Sequence, residues 1–169
     1  MTVMFVLLII LAIAAGMIFH LGKSSPVEHE ASLAQMYMAS PETIYRLVRN
    51  IEGYPGWRTG VTAVNRDEQG RYVEESKHGK IPYVVVEDEP NVRLVTRIDA
   101  TGLPFGGSWT FEISRQGGMS KLVITEHGSV HSPLMRFVAR YVMTYEKTIR
   151  TYLADLGKVL DAGGGARRK

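Results

Sequence analysis

A carboxylate interrupts an apolar strand pattern at residues 122–127, which read LVITEH. In an extended strand alternate side chains share a face, so Glu126 should point the same way as Leu122 and Ile124. A carboxylate among aliphatic side chains is costly unless it is hydrogen-bonded or paired, and burial raises its pKa. Such a group can serve as an acid, a base or a polar anchor. The alternative places Glu126 at the strand end, bonded to a backbone amide or an arginine.

Two tyrosines are the next candidates. Tyr141 and Tyr145 are four residues apart on an apolar stripe, one helical turn from each other. We expect their rings to belong to the core, while their hydroxyls need partners. A ligand head group is the alternative partner for those hydroxyls. Tyr83 and Arg97, on central strands, are weaker candidates because the direction of their side chains is ambiguous.

Several kinds of chemistry have no support in the sequence. The histidines lie in different predicted elements without metal-ligand spacing, and the chain has no cysteine, so we predict no metal site. No Ser-His-Asp order, P-loop or dinucleotide-binding glycine motif occurs, and no cofactor is predicted. Glu74 and Glu75 are neighbours on a strand and point to opposite faces, which excludes a carboxylate pair. Tyr54 and Trp57 are expected to pack, with gating of a cavity entrance as the alternative.

The charge distribution argues against nucleic acid as a partner. The chain has 20 basic and 17 acidic side chains, and the tail residues Arg167, Arg168 and Lys169 account for the whole excess. The body of the protein is therefore neutral overall. A neutral body has no basic face suited to a phosphate backbone.

Residues 3–21 form an uncharged, largely aliphatic run of the length needed to cross a bilayer of about 30 Å. We predict a membrane anchor at residues 1–22, with membrane lipid as a partner, and a linker at 23–29. A cleaved signal peptide is the alternative, but only Thr2 precedes the run where a basic segment is expected. Lys23 is the nearest charged side chain, which favours a cytoplasmic domain.

The remaining chain, residues 30–161, predicts a single α+β domain, followed by a flexible basic tail at 162–169. Ser40, Pro41 and Glu42 form a helix start, and apolar residues follow at helical spacing to Ile51. A long amphipathic helix is predicted from Pro133 to about residue 161. Short strands separated by turn residues are predicted at 31–39, 61–66, 71–78, 81–88, 92–99, 107–114 and 119–130.

The order of these elements predicts an antiparallel sheet of six or seven strands with helices on one side. One long helix cannot cover a strongly twisted sheet of that size completely. We therefore expect the sheet to curl around the C-terminal helix, and the space between them to be a packed core or a cavity.

Four phrases carry a family resemblance: SPETIYRLVRNIEGYPGW (40–57), LPFGGSWTFEI (103–113), LVITEHGSV (122–130) and SPLMRFVARYV (132–142). In this order they resemble the START-like superfamily, also called SRPBCC or the helix-grip fold. The branch they are most similar to is that of polyketide cyclases, dehydrases and lipid-transport proteins. The resemblance covers roughly residues 30–161 and leaves the apolar run outside.

The resemblance implies a hydrophobic cavity between the curved sheet and the last helix. A lipid, a quinone or a polyketide-like molecule is the implied ligand, and membrane-anchored binding of such a molecule is the predicted function. One alternative is a cyclase or dehydratase that uses Glu126 or a tyrosine as acid or base. Another is a partner-binding membrane protein without a ligand. The predicted ligand contacts are Trp109, Phe111, Ile124, Glu126, Phe137, Tyr141 and Tyr145.

Overall fold

The computed structural model describes residues 2–77 and 79–165. His78, at the end of the predicted strand 71–78, and Arg167, Arg168 and Lys169 of the predicted flexible tail lie outside the described residues. The chain begins with helix α1, Thr2–Ser24, in which every residue except Ile18 and Gly22 is exposed. By length and composition α1 is long and apolar enough to cross a membrane.

The sheet has seven antiparallel strands in the order β1-β7-β6-β5-β4-β3-β2, as the predicted fold class requires. β1 starts at Glu28, so only three residues separate it from α1. Apart from β1, consecutive strands are neighbours, because each hairpin returns the chain beside the strand it has just left. The strands are β1 Glu28–Tyr37, β2 Val61–Arg66, β3 Tyr72–Ser76, β4 Gly79–Glu89, β5 Arg93–Ile98, β6 Phe105–Gln116 and β7 Met119–Val130.

The register of β7 confirms the predicted direction of its side chains. Ile124 pairs with Phe111 of β6 and with Leu33 of β1. Leu122 and Ile124 are fully buried, and Glu126, two residues further on, pairs with Trp109 and faces the same side of the sheet. The carboxylate therefore points to the concave side.

Helix α2, Pro41–Arg49, begins where the sequence predicts. The Ser40 side chain accepts a hydrogen bond of 3.3 Å from the Thr43 N–H, and Pro41 occupies the first turn, where its missing N–H costs nothing. Ile44 and Val48 are fully buried against the sheet. A 3-10 helix, Ile51–Gly56, follows and leads into β2.

The prediction of one unbroken helix from Pro133 to about residue 161 is wrong, because the helix is interrupted. Helix α3, Pro133–Val138, is followed by a π-helical turn, Ala139–Met143, and then by helix α4, Glu146–Gly165. Thr144 breaks the helix with a φ of 56°, a value that no residue within an α-helix adopts. The apolar spacing continues across the break, which is why the sequence pattern indicates one helix.

The core lies at one end of the concave face, where α2 and α4 cover the sheet. Leu94, Phe111, Leu122 and Ile124 from the strands pack there with α2 and with the buried face of α4. The α4 residues of this core are Ile149, Tyr152, Leu153 and Leu156. The other end of the concave face lies beneath α3 and the first turn of α4.

Candidate functional site

A cavity of about 620 Å³ occupies that second end of the concave face. Its walls come from the starts of β1, β4 and β6, from the ends of β5 and β7, and from α3 and α4. Most of the lining is apolar, as in pockets that bind small hydrophobic molecules. Representative wall residues are Ile81, Ile98, Phe105, Trp109, Val130 and Val138.

A histidine and a glutamate meet in the wall formed by β1 and β7. His29 Nε2 lies 3.5 Å from Glu126 Oε1, and the two side chains are only 10% and 23% exposed. The His29 ring stacks on the Tyr145 ring, with 3.7 Å between the ring centroids. Neither ring nitrogen of His29 has a hydrogen-bond partner within the described part of the chain. We call His29, Glu126 and Tyr145 the polar corner of the cavity.

Two glycines make room for this arrangement. A Cβ at Gly128 would lie 2.3 Å from His29 Cε1, so only glycine leaves space for the ring on the surface of β7. Gly107 of β6 pairs with Gly128 of β7 and has a φ of 144°. A Cβ at Gly107 would lie 2.3 Å from the His127 carbonyl oxygen. Both glycines belong to the phrases that carry the family resemblance.

The surroundings of Glu126 in the polar corner shift the pKa of its carboxyl. Burial among apolar side chains raises the pKa of Glu126 above its usual value, and the facing His29 opposes this only in part. A carboxyl that keeps its proton more readily can donate a hydrogen bond or transfer a proton.

A second polar group lies in the part of the wall formed by β3 and β4. Arg58 Nη1 donates to Glu74 Oε2 at 2.5 Å, with both side chains largely buried. The guanidinium also lies over the rings of Tyr54 and Tyr152, at 4.8 and 5.0 Å from their centroids. Burial alone would lower the pKa of Arg58, but the charge of Glu74 keeps it above its usual value. Arg58 therefore stays charged inside the cavity.

Tyr83 belongs to the same part of the wall. Its side chain is 8% exposed, and its hydroxyl is buried without a hydrogen-bond partner among the described residues. An unsatisfied buried hydroxyl costs about 1–3 kcal/mol, which a ligand that accepts its hydrogen bond can recover. We call Arg58, Glu74 and Tyr83 the arginine cluster.

The structure brings together four of the residues predicted to contact a ligand. Trp109, Phe111, Glu126 and Tyr145 line the cavity. The other three predicted contacts do not line it. Ile124 is fully buried in the core, and Phe137 packs on Tyr141 with 5.2 Å between the ring centroids. The break at Thr144 removes the predicted one-turn relation between Tyr141 and Tyr145, and Tyr141 is 52% exposed.

Glu74, Glu75 and Tyr54 take different places relative to the cavity. Glu74 and Glu75 face opposite sides, as predicted: Glu74 pairs with Arg58, and Glu75 pairs with Lys80 at 2.6 Å on the surface. Tyr54 is buried at the base of the cavity, where its hydroxyl donates to the Val48 carbonyl oxygen at 2.6 Å.

Two members of these groups were not found from the sequence. His29 was assigned to the linker because the predicted first strand began at residue 31. β1 begins at Glu28, and alternation from Ala31 back to His29 would have placed both side chains on the same face. Arg58 lies in an irregular segment between the 3-10 helix and β2, where no periodicity predicts a direction.

Within residues 2–77 and 79–165 no three His, Asp or Glu side chains gather as metal ligands do. The arrangement instead offers an apolar enclosure with two separate polar groups. Such a site can hold a mostly apolar molecule and orient it through its few polar atoms.

Comparisons with known proteins agree with the fold. A START superfamily protein from Mycobacterium smegmatis is 18% identical, with a TM-score of 0.62 over 79% of this chain and 98% of its own. The di-domain ARO/CYC protein StfQ of the steffimycin biosynthetic pathway is 10% identical, with a TM-score of 0.66 over 82% of this chain and 53% of its own. At these identities the likeness shows the fold alone.

A third structure, norcoclaurine synthase from Thalictrum flavum, is 11% identical, with a TM-score of 0.62 over 82% of this chain and 97% of its own. No curated protein matches the chain. The family model described as polyketide cyclase / dehydrase and lipid transport matches residues 28–160, from the start of β1 almost to the end of α4. The chain therefore belongs to the polyketide cyclase/dehydrase and lipid transport family.

Proposed function

We propose that this protein is a membrane-anchored binder of a hydrophobic small molecule, of lipid, quinone or polyketide-like character. The observation that carries the proposal is the apolar cavity of about 620 Å³ between the sheet and the C-terminal helices. Protein interiors rarely leave voids larger than a water molecule, and ligand pockets typically measure about 300–1,000 Å³. A cavity of this size and lining fits a ligand better than a packing defect.

The polar groups in the wall support a ligand that is not purely apolar. His29 and Glu126 of the polar corner lie on β1 and β7, and Glu74 and Tyr83 of the arginine cluster lie on β3 and β4, with β5 and β6 between them. Adjacent strands are about 4.8 Å apart, so β4 and β7 are about 14 Å apart along the sheet. A ligand with a polar atom near each end of an apolar body satisfies both groups.

Helix α1 supports the membrane part of the proposal. Its described residues are apolar and exposed along nearly the whole length, which suits contact with lipid rather than with water. A domain held beside the bilayer can take up a lipid-soluble ligand without carrying it far through water.

Mass spectrometry of organic extracts from the purified full chain tests the binding proposal. In Thr96→Phe, an aromatic ring is placed in the cavity wall opposite Trp109; Thr62→Phe places the same ring at an exposed position of β2. We expect an apolar compound with the wild-type chain and with Thr62→Phe, and its loss in Thr96→Phe. No apolar compound in any of the three would contradict binding and favour a protein that acts through a partner.

A second candidate function is a reaction of the cyclase or dehydratase type. The observation that favours it is the placement of Glu126, whose pKa is raised by burial, 3.5 Å from His29 inside the cavity. In that case Glu126 acts as acid or base on the bound molecule. Glu126→Gln should then abolish conversion of the extracted compound while the circular dichroism spectrum and ligand content stay unchanged. Equal conversion by the variant and the wild type would exclude this role.

A further inference from the structure

The membrane helix is attached to the wall of the cavity by a buried arginine. Arg136 of α3 is 7% exposed, and its Nε donates to the Gly22 carbonyl oxygen of α1 at 2.8 Å. Its Nη1 lies 3.3 Å from the Val130 and His131 carbonyl oxygens. No carboxylate pairs with it among the described residues. The guanidinium thus joins the end of α1, the end of β7 and α3 through backbone carbonyls alone.

The contact between the two helices is close and depends on a glycine. A Cβ built at Gly22 would lie 1.9 Å from the Pro133 carbonyl oxygen, so any other residue forces α1 and α3 apart. Ile18 and Gly22 are the least exposed residues of α1, one turn apart on the same face, and Ser25, directly after the helix, is also buried. The docked face is therefore confined to the last two turns of α1.

This contact sets the depth of α3 relative to a bilayer. The uncharged run at residues 3–21 is about 28 Å long as a helix, close to the ~30 Å hydrocarbon core. With that run spanning the core, Ile18 lies about 4.5 Å inside its edge, and Gly22 lies just outside it. α3 packs beside these turns and lies at the depth where amphipathic helices rest on membranes.

The residues that α3 and the π-helical turn expose suit this depth. Leu134 is 57% exposed, Met135 38% and Tyr141 52%, although all three are apolar or aromatic. Arg140 lies over the Tyr141 ring, 5.6 Å from its centroid, and Lys23 lies in the last turn of α1. Aromatic and basic side chains of this kind favour the headgroup layer.

The same segment borders the opening of the cavity. Among the residues whose exposure the structure describes, the exposed ones that line the cavity are, apart from His127, Leu134, Met135, Thr144, Lys147 and Thr148. All of these belong to α3, to the break after it, or to the first turn of α4.

We propose that residues 133–141 lie in the headgroup layer of the bilayer that α1 crosses, and that the cavity opens into that layer. This inference rests on the proposed function and makes it more specific: the ligand is a membrane-resident molecule that enters from the bilayer. The occupant of the exposed apolar surface is the lipid bilayer itself.

Site-directed fluorescence tests the inference, because the chain contains no cysteine. Leu134→Cys carries an environment-sensitive dye in the full chain, reconstituted in vesicles of phosphatidylcholine with some phosphatidylglycerol. Met119→Cys is the control: it is similarly apolar, is 38% exposed and lies at the opposite end of β7, a strand about 36 Å long, from the end that leads into α3. We expect lipid-borne nitroxide to quench the dye at 134 several-fold more than at 119, and aqueous iodide to do the reverse. Equal quenching at the two sites, or a chain that does not float with the vesicles, overturns the inference.

A pair of glycine variants tests the attachment. Gly22→Ala must separate α1 from α3, whereas a Cβ at Gly16 of the same helix meets nothing within 4 Å. We expect Gly22→Ala to lose the lipid quenching at 134 and Gly16→Ala to keep it. Quenching retained in a folded Gly22→Ala chain contradicts the attachment. Should Gly22→Ala not fold, the comparison of 134 with 119 still decides the inference.

Mass spectrometry of the unlabelled wild-type chain, purified and extracted before reconstitution, separates the two proposals, because neither the dye at residue 134 nor the vesicle lipids can then affect the result. If residue 134 is embedded in the bilayer but no apolar compound copurifies, the binding proposal is contradicted. The position of α3 in the headgroup layer then stands, and the entry of a ligand from that layer is contradicted too. A bound compound with residue 134 exposed to iodide sinks the inference and leaves binding intact.

Discussion

At the scale of single residues, Glu126 makes the stability of the fold depend on pH. Burial raises its pKa, so the folded protein holds this proton more tightly than the unfolded chain does. Such a carboxyl stabilises the fold least when the pH is high enough to remove the proton. The linkage predicts that the free energy of unfolding falls as the pH rises from about 4.5, the ordinary value, through the raised pKa of the folded state.

Glu126→Gln should remove this pH-dependent loss. We expect the variant to gain stability relative to the wild type between pH 4.5 and neutrality. Urea unfolding in a mild detergent, followed by the fluorescence of Trp57 and Trp109, measures the difference at each pH. Glu30→Gln, at an exposed position with a side chain 63% accessible, is the control and should not show this gain. A difference between Glu126→Gln and wild type that does not change with pH would contradict the assigned burial of the carboxyl.

The His29 ring can occupy its position only because residue 128 is glycine. Gly128→Ala places a methyl group 2.3 Å from the ring, which is also stacked on Tyr145 and has little room to move. Overpacking of this kind costs about 1–3 kcal/mol.

The double variant His29→Ala/Gly128→Ala separates this clash from other effects. Removing the ring should recover most of the loss caused by Gly128→Ala alone, since the two changes act on one contact. Denaturant unfolding of the two single variants and the double variant gives the interaction energy. Additive losses would show that the ring and the glycine are independent.

At the scale of elements, Asp155 joins α4 to the segment that precedes β2. Its buried carboxylate accepts the Thr59 N–H at 2.7 Å and a Lys158 hydrogen bond at 2.8 Å. Burial would raise the pKa of Asp155, but these hydrogen bonds outweigh it and hold the pKa below its usual value. A lowered pKa means that the stabilisation is present above pH 3.8 and disappears as the pH falls through the folded value.

Asp155→Asn should therefore destabilise the domain at neutral pH by about 1 kcal/mol, the difference between a charged and a neutral hydrogen-bond acceptor. The loss should shrink in acid, where the wild-type carboxylate is also neutralised. Thermal unfolding at pH 7 and below pH 3.8 checks both parts. Asp161→Asn, at an exposed position of the same helix, should change little. An undiminished loss in acid would contradict the electrostatic explanation.

Local sequence patterns predicted some of these elements and contacts but not others. The predicted bounds of β2 and β7 agree with the structure, because alternation and turn residues mark both ends of these strands. The direction of Glu126 followed from the same alternation. The break at Thr144 had no such signal, since neither glycine nor proline marks it and the apolar spacing continues. The pairing of Arg58 with Glu74 depends on how a loop folds back onto β3, which local patterns do not encode.

At the scale of the whole molecule, one end of the sheet gathers the features that matter. α1 joins β1 there, α3 follows β7 there, and the cavity lies between the strand ends and α3. The antiparallel order produces this clustering, because the start of β1 and the end of β7 are neighbours in the sheet. Helix α1, which precedes β1, therefore lies next to the cavity rather than next to the packed core.

Native mass spectrometry of the full chain, released from a membrane mimetic, shows whether the cavity holds a ligand. We expect one apolar molecule bound per chain, retained in Thr62→Phe and lost in Thr96→Phe, because the ring at residue 96 occupies the cavity and the ring at residue 62 does not. A wild-type chain that appears only as the bare polypeptide, or a bound molecule that survives Thr96→Phe unchanged, would contradict it.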